Sequence, residues 1–346
     1  MILTKCEKTM SRYKALALQT ACYTVNAAKN KEEALPIMFK TLERIEQQIM
    51  SSKAFVGQAL KLVVLPEYFL TGFPMGETLA QWRDKACVKM GDEICQKISA
   101  IALKTGVYVS GNFYEIDENF PELYFQSSFI VSAEGEFILR YRRLNSMFAP
   151  TPHDVWDKYL AIYGYESLFP VAKTPLGNLA CIASEEILYP EIARCLMMRG
   201  AEIFLHSSSE VSSPRATPKN ITKQARAIEN MAYVISANSA GMKGIPIPEF
   251  STDGHSQIVH YEGHILIEAG QGETMVANAN IDLEALRYHR KQVGMSNFIA
   301  RQRFELYAES YANTKHYPAN NFPESVPDKS HFVKIQQAVI NKLFNE

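Results

Sequence analysis

From residue 13 to about residue 282, apolar runs of strand length alternate with stretches of helical periodicity, and no change of composition interrupts the alternation. YKALALQT (13–20), KLVVLPE (61–67) and GVYVSGNFYE (106–115) read as strands. So do SSFIVS and FILRYRR, turned at Glu134-Gly135, and LACIAS (179–184), EIFLHSS (202–208) and YVISANS (233–239). Between the first two, Leu35, Met38, Leu42, Ile45 and Ile49 recur at helical spacing, and Pro36 suggests where the regular helix starts. Further helices are expected at about 86–104, at 190–199 between Pro190 and Gly200, and at 218–231. SQIVHYEGHILIEA (256–269) reads as a hairpin turned at Glu262-Gly263, with ETMVANANI following it. Strands that alternate with helices favour one α/β domain over two, here residues 13–300 after a short extension at 1–12.

Beyond residue 300 the chain is richer in Pro and Asn and reads as an extended arm. It ends in HFVKIQQAVINKLF, which sets Phe332, Ile335, Val339 and Leu343 on one stripe. That stripe has to be buried on the chain's own body or on a neighbouring subunit.

Composition removes several classes of function. Lys and Arg number 36 against 37 Asp and Glu, so nothing favours electrostatic capture of nucleic acid or of an anionic membrane. Charges interrupt the N-terminal MILTKCEKTMSRYK, and no run approaches the ~18 apolar residues of a membrane span. A cytoplasmic protein with small-molecule partners is the expectation. The six cysteines lack the spacing of a zinc site or disulfide framework. The eight histidines are scattered, with His255, His260 and His264 on a hairpin rather than an HxxxH helix, and no phosphate-binding glycine loop appears. Neither metal catalysis nor a cofactor is implied.

Four segments at strand ends carry polar groups beyond what a core requires. Glu67 follows LVVLP directly, as a capping acid or as a general base at the mouth of a sheet. Arg142 and Arg143 close a strand and point to opposite faces, so only one can serve a given side and the other reads as a surface charge. Ser184 ends a strand that turns into a Pro-initiated helix, an elbow that exposes one side chain and aims free backbone N–H groups, Glu185's among them, at a ligand. Arg226 and Glu229, three apart on a helix, predict by themselves only a surface ion pair.

In order, these segments resemble the nitrilase family of carbon–nitrogen hydrolases over residues 12–290. Gln19 matches the early strand, LPEYFLTGF the glutamate block and GEFILRYRR the lysine block. ASEEILYPEIARCLMMRGAEIF matches the cysteine block, and ARAIENMAYVISANSAG with TDGHSQIVHYEGHIL the later blocks. The resemblance implies a four-layer α-β-β-α sandwich and assembly into homodimers or larger homo-oligomers. It also implies a glutamate base at Glu67, a lysine that here reads Arg143, and a nucleophilic cysteine that here reads Ser184. Tyr68, Trp156, Glu166, His206 and Glu210 are the expected substrate-binding residues, with Glu166 the nearest match to a second family glutamate and Asp154 and Asp157 behind it.

A cysteine reaches its thiolate near neutral pH, whereas a serine hydroxyl has to lose its proton as it attacks. An arginine fork is longer than a lysine ammonium and differently shaped. Cys181 is no substitute, because three residues along a strand put it on the opposite face from Ser184. Cys195 sits near the C-terminal half of a helix, without help from its dipole. Three readings stay open: a serine introduced to trap a substrate, hydrolysis or acyl transfer through Ser184, and a non-catalytic ligand-binding or assembly subunit. The aromatic connection 144–168, with Phe148, His153, Trp156, Tyr159, Tyr163 and Tyr165, reads as a lid over an organic ligand or as cover for core. His206 and Glu210 read as an acid–base pair or ligand-head contacts, or as a capped strand end.

Overall fold

The computed structural model describes residues 9–211, 213, 216–322 and 327–344. Every apolar run named above becomes a strand, and the strands form two facing sheets. The first runs in the order Asn278–Asp282, Arg12–Ala17, Leu60–Val64, Tyr108–Ile116, Phe125–Val131, Phe137–Arg142, with Val88–Lys89 added beside Tyr108–Ile116. The second runs Ile265–Glu268, Gln257–Val259, Tyr233–Ala237, Ile203–Ser207, Gly177–Ala183, Ala172–Thr174. Each is parallel at its centre and antiparallel towards its edges.

The alternation within each strand sets the layers. Ala15, Ala17, Leu62 and Val64 face inward and meet Leu179, Cys181, Ala183, Leu205 and Ile235 of the opposite sheet. Leu16 and Val63 face outward, under Met38, Leu42, Ile45 and Ile49 of the helix Lys31–Val56 and under the helix Glu93–Thr105. Ile182, Phe204 and Val234 lie under Pro190–Met198 and Pro218–Asn230. The result is the expected four-layer α-β-β-α sandwich. Each buried Leu, Ile or Met of the outer helices contributes about 1.5–3 kcal/mol, an upper range because the unfolded chain already buries some surface.

Three local expectations change. The first helix starts at Lys31, a turn before Pro36, because the Asn30 side chain accepts from Glu33 N at 3.0 Å and Pro36 gives up only one early donor. The helix expected at 86–104 starts only at Glu93 and runs to Thr105, while Ala86 closes a separate, preceding helix, Leu79–Ala86. The chain between them pairs as a strand, and the Asp92 side chain accepts from Ile94 N and Cys95 N to start the second helix afresh. The arm contains a helix, Glu305–Asn313, made of good helix formers and tied by the Tyr311 hydroxyl to Glu191 at 2.8 Å. The terminal helix spans Lys329–Phe344, with Phe332 buried and Leu343 exposed. Residues 1–8 of the expected extension lie outside the described residues; Met10 N donates to Pro175 O at 2.8 Å.

At one end of the sandwich the two sheets are tied across the layer. Ser207 Oγ donates to Leu65 O at 2.8 Å, and Glu67 N donates to Ser208 O at 3.1 Å. These bonds hold the carboxyl ends of a first-sheet strand and a second-sheet strand together, and the candidate site is built on them.

Candidate active site

Both key turns use backbone that side-chain-bearing residues seldom adopt. Tyr68, directly after Glu67, has φ 62°, and Ser184, directly after the strand Gly177–Ala183, has φ 50°. A left-handed residue that is not glycine costs on the order of 1–3 kcal/mol and persists only where its surroundings over-determine it. For Ser184 those surroundings are visible. His206 Nε2 lies 2.8 Å from Ser184 O, and the carbonyl can only accept, so Nε2 carries the hydrogen and Nδ1 takes one from Ser236 Oγ at 2.8 Å. Arg226 donates through Nε to Ile187 O and through Nη2 to Leu188 O, both at 2.9 Å. Glu186, fully buried, accepts from Tyr141 Oη at 2.6 Å, Leu144 N at 2.7 Å and Asn145 N at 3.0 Å. The elbow is thereby bound to the second sheet, to a helix and to the end of the arginine-bearing strand.

Glu67 is completely buried. Its Oε1 accepts from Gln126 Nε2 at 2.6 Å and from Arg143 Nη1 at 3.3 Å, while Oε2 has no hydrogen-bond partner. Arg143 also donates from Nη1 to Gln126 Oε1 at 2.5 Å, from Nε to Asn145 O at 2.7 Å, and pairs through Nη2 with Glu185 at 2.5 Å. Burial opposes the Arg143 charge, but Glu67, Tyr68, Glu185 and Glu186 around it outweigh burial and hold it firmly cationic. Burial raises the Tyr68 phenol, with the Glu67 carboxylate adding to the effect. Tyr68 itself packs between Phe73 and Tyr114.

Ser184 Oγ, at the head of the short helix Ser184–Leu188, has Lys219 Nζ 3.5 Å away. Lys219 projects from the first turn of Pro218–Asn230, whose start is capped by Thr217. No local pattern marked this lysine, which lies 35 residues from Ser184. Gln126 and Glu186 were also missed. The only hint of Glu186 is the doubled acid after Ser184, since a second carboxylate at a strand end is not needed as a cap.

The expected residues divide. Glu67, Arg143 and Glu185 are joined by ion pairs beside Tyr68, and Ser184 directly precedes Glu185 in the chain with Lys219 at its Oγ. The backbone N–H of Glu185 lies in the first turn of a short helix, where donors lack intrahelical acceptors. His206 is beside Ser184 but is not an acid–base group, because burial, with Lys223 adding, pushes it well below the usual imidazole range and both ring nitrogens are engaged. Glu210 does not pair with it. Its carboxylate meets the fully buried Lys223, whose ammonium burial lowers, and accepts from Thr217 at 3.3 Å.

Several expectations are corrected by packing. Glu166 is exposed and reaches Arg199 at 3.3 Å, drawn out of the site by a surface ion pair. Asp154 caps its own turn through Thr151, and Asp157 is exposed. Trp156 packs with Tyr159 and Tyr163 on the outer core around Phe120, Phe125 and Ile182, so this part of the connection covers core instead of forming a lid. Arg142 is no surface charge: it is buried between Glu115 and Asp117 with its guanidinium 4.4 Å from the Phe125 ring centre and 4.8 Å from that of Tyr163. Arg226 is likewise buried, its bond to Glu229 at 2.7 Å secondary to its hold on the elbow carbonyls.

Cys181 lies between the sheets, 3.7 Å from Ser110 Oγ, and burial pushes its thiol up to about 12. Cys195 is half-buried and is also raised, chiefly by burial.

Residues 35–291 match the family model described as carbon–nitrogen hydrolase. The formamidases of Bacillus cereus (strain AH820) and Bacillus anthracis are each 26% identical to the chain over 264 residues, covering 75% of it and 73% of their own length. Among solved structures, Saccharomyces cerevisiae Nit3, a member of branch 10 of the nitrilase superfamily, superposes with a TM-score of 0.64 at 21% identity, over 83% of this chain and 96% of its own. A carbon–nitrogen hydrolase from Helicobacter pylori G27 gives 0.64 at 20% identity, over 87% and 98%. The nitrilase-superfamily amidase of Nesterenkonia sp. AN1 gives about the same fold, with a TM-score of 0.60 at 18% identity, over 87% and 97%; in one variant of it acrylamide has added to the active-site cysteine.

Proposed function

Because the chain belongs to the carbon–nitrogen hydrolase family, within the nitrilase superfamily, we propose that it cleaves a small-molecule amide, nitrile or related acyl compound through Ser184, by hydrolysis or acyl transfer. The observation that carries this reading is the pairing of Ser184 Oγ with Lys219 Nζ at 3.5 Å, in a site where Glu67 Oε2 is buried without a partner. A buried carboxylate oxygen left free is costly unless it has work to do, and accepting a proton is such work.

For an amide, Ser184 Oγ bonds to the carbonyl carbon as its proton passes to Glu67 Oε2. The negative oxygen that forms is stabilised by the cationic Lys219 and by the N–H of Glu185. Collapse expels the amine, which takes the proton back from Glu67, and leaves an acyl-serine. Water, or another nucleophile, then attacks the ester as Glu67 takes its proton; the bond from the acyl carbon to Ser184 Oγ breaks, and Glu67 returns the proton to the departing Ser184 Oγ. Arg143 is spent on Glu67, Gln126 and Glu185, so it positions the carboxylate and cedes the cationic role next to the nucleophile to Lys219. Tyr68 lines the same site, and a small ligand suits its closed character, since Ser184 is only 6% exposed.

The test is a panel of formamide, short aliphatic amides and nitriles, assayed for ammonia release and, with hydroxylamine added, for hydroxamate. Turnover abolished by Ser184→Ala and reduced mainly in kcat by Lys219→Met supports the reading. Turnover that survives Ser184→Ala overturns it.

A second reading keeps the site but not the chemistry. With both Nη atoms of Arg143 engaged by carboxylates and Gln126, its guanidinium offers no free fork to a ligand, which suits a small-ligand sensor or an assembly subunit. Binding of the same compounds without turnover, and without change on Ser184→Ala, distinguishes it. In either case the partly covered stripe of the terminal helix, with Phe332 buried and Leu343 exposed, supports assembly into a homodimer or larger homo-oligomer, measurable by analytical ultracentrifugation. No helix among the described residues is long and apolar enough to cross a membrane.

A further inference from the structure

At the far edge of the second sheet, the hairpin that joins Gln257–Val259 to Ile265–Glu268 turns through His260-Tyr261-Glu262-Gly263-His264. The turn is tight. His260 N donates to His264 O and Gly263 N donates to His260 O, both at 2.8 Å, and Gly263 has φ 88°. This closure brings two imidazoles and a carboxylate, at alternate positions in sequence, onto one side of the hairpin. The His260 and His264 rings lie 4.3 Å apart and 28° from parallel. One ligand atom from each of His260, Glu262 and His264 falls within 4.8 Å of the others.

We propose that His260, Glu262 and His264 form a divalent-cation site of the zinc type, separate from the Ser184 site, with His289 as its fourth contributor. Zinc binds imidazole nitrogen and carboxylate oxygen at ~2.0–2.2 Å, which places tetrahedral ligands about 3.4 Å apart. The present spread closes by rotation of side chains at a hairpin tip, where Glu262 and His264 are exposed. Two imidazoles and one carboxylate suit zinc, nickel and copper better than calcium or magnesium, which require more oxygen donors. His260 Nδ1 accepts from Glu262 N at 3.3 Å and lies 3.3 Å from Glu262 Oε2, so the carboxylate already stands at the Nδ1 edge of the ring. His289 Nδ1 stands 4.0 Å from Glu262 Oε1. It belongs to the helix Leu283–Lys291, so its participation turns a hairpin site into a staple between two elements.

An ordinary solvated face explains these residues less well. Packing on Tyr261 at 3.8 Å and edge-on to Tyr233 accounts for His260, but it does not account for the exposed His264 ring laid on the far side of it. The site also asks nothing of the catalytic machinery, and it stands or falls independently of the function proposed for Ser184.

The test is zinc uptake by the full-length protein freed of any histidine tag, measured by equilibrium dialysis with metal analysis and by thermal unfolding with and without ZnCl2. One zinc per chain is expected, with a rise in unfolding temperature. His264→Ala, which removes an exposed side chain, should leave the metal-free unfolding temperature unchanged, abolish the zinc-dependent rise, and weaken binding by more than the ~10–100-fold that loss of an outer-shell partner costs. His289→Ala should weaken binding less than His264→Ala does. No stoichiometric uptake, or uptake indifferent to both His264→Ala and Glu262→Gln, overturns the proposal.

Discussion

Replacing Glu186 separates two roles of one buried carboxylate. It accepts three hydrogen bonds, from Tyr141 Oη, Leu144 N and Asn145 N. Glu186→Leu fills similar space but leaves all three donors unpaired in the interior. At about 1–3 kcal/mol for each abandoned donor, the three together cost about 3–9 kcal/mol, from which relief of the desolvated carboxylate subtracts a part; the remainder is a large share of a typical ~5–15 kcal/mol stability. Glu186→Gln keeps an oxygen for the two backbone N–H groups and costs about 1 kcal/mol, chiefly at Tyr141. The two variants also differ from wild type in pH dependence. Burial raises the Glu186 pKa above its ordinary 4.5, against the opposing effects of Arg143, Tyr141 and the two backbone donors. The native state then holds a proton that the unfolded state has released. This contribution to stability is fully present below about pH 4.5 and is lost as pH rises through the higher folded value. Urea unfolding of wild type and Glu186→Gln from pH 4 to pH 8 measures it directly. The stability of wild type relative to Glu186→Gln should fall with rising pH. A difference that is flat or rises with pH would refute the argument, as would a Glu186→Leu variant as stable as wild type.

Three further outcomes follow from packing. Arg142→Ala removes the buried cation that Glu115 and Asp117 share, leaving Glu115 with the part-exposed Arg140 and Asp117 with Tyr163, and should cost about 3 kcal/mol by denaturant unfolding; a cost under 1 kcal/mol would return Arg142 to the surface role its sequence suggests. Iodoacetamide at pH 7.5 should leave Cys181 unlabelled in the native protein and label it in urea, because burial pushes its thiol up to about 12, and native labelling would contradict its place between the sheets. Arg226→Lys surrenders at least one of the two carbonyl bonds that hold the elbow; it should speed hydrogen exchange across residues 184–189 and lower turnover, whereas unchanged exchange would mean that the elbow is held without it.

The layers were legible in the sequence because strand alternation and helical periodicity are local properties, and here they agree. Ala15 and Ala17 face one core and Leu16 the other, as period two requires. The strand-end positions of Glu67, Arg143 and Ser184 were legible for the same reason. What failed were judgements of exposure, which depend on segments distant in sequence. Arg142 reads as a surface charge until Tyr159 and Tyr163 are laid over it, and Arg226 reads as half of a surface pair until Ile187 and Leu188 present their carbonyls. Lys219 left no trace, since nothing in TPKNITKQ says that the helix start will abut a strand end 35 residues earlier. Glu166 failed in the opposite direction, as an acid of the expected type in a loosely matched stretch that its turn carries to the surface.

The central claim is that Ser184, served by Glu67 and Lys219, forms a covalent bond to an acyl carbon. Intact mass after incubation with activated acyl amides, followed by peptide mapping, tests it most directly. The account predicts an acyl mass increment on the peptide carrying Ser184, absent in Ser184→Ala and diminished in Lys219→Met. An increment that maps to a cysteine, or that persists in Ser184→Ala, would contradict it.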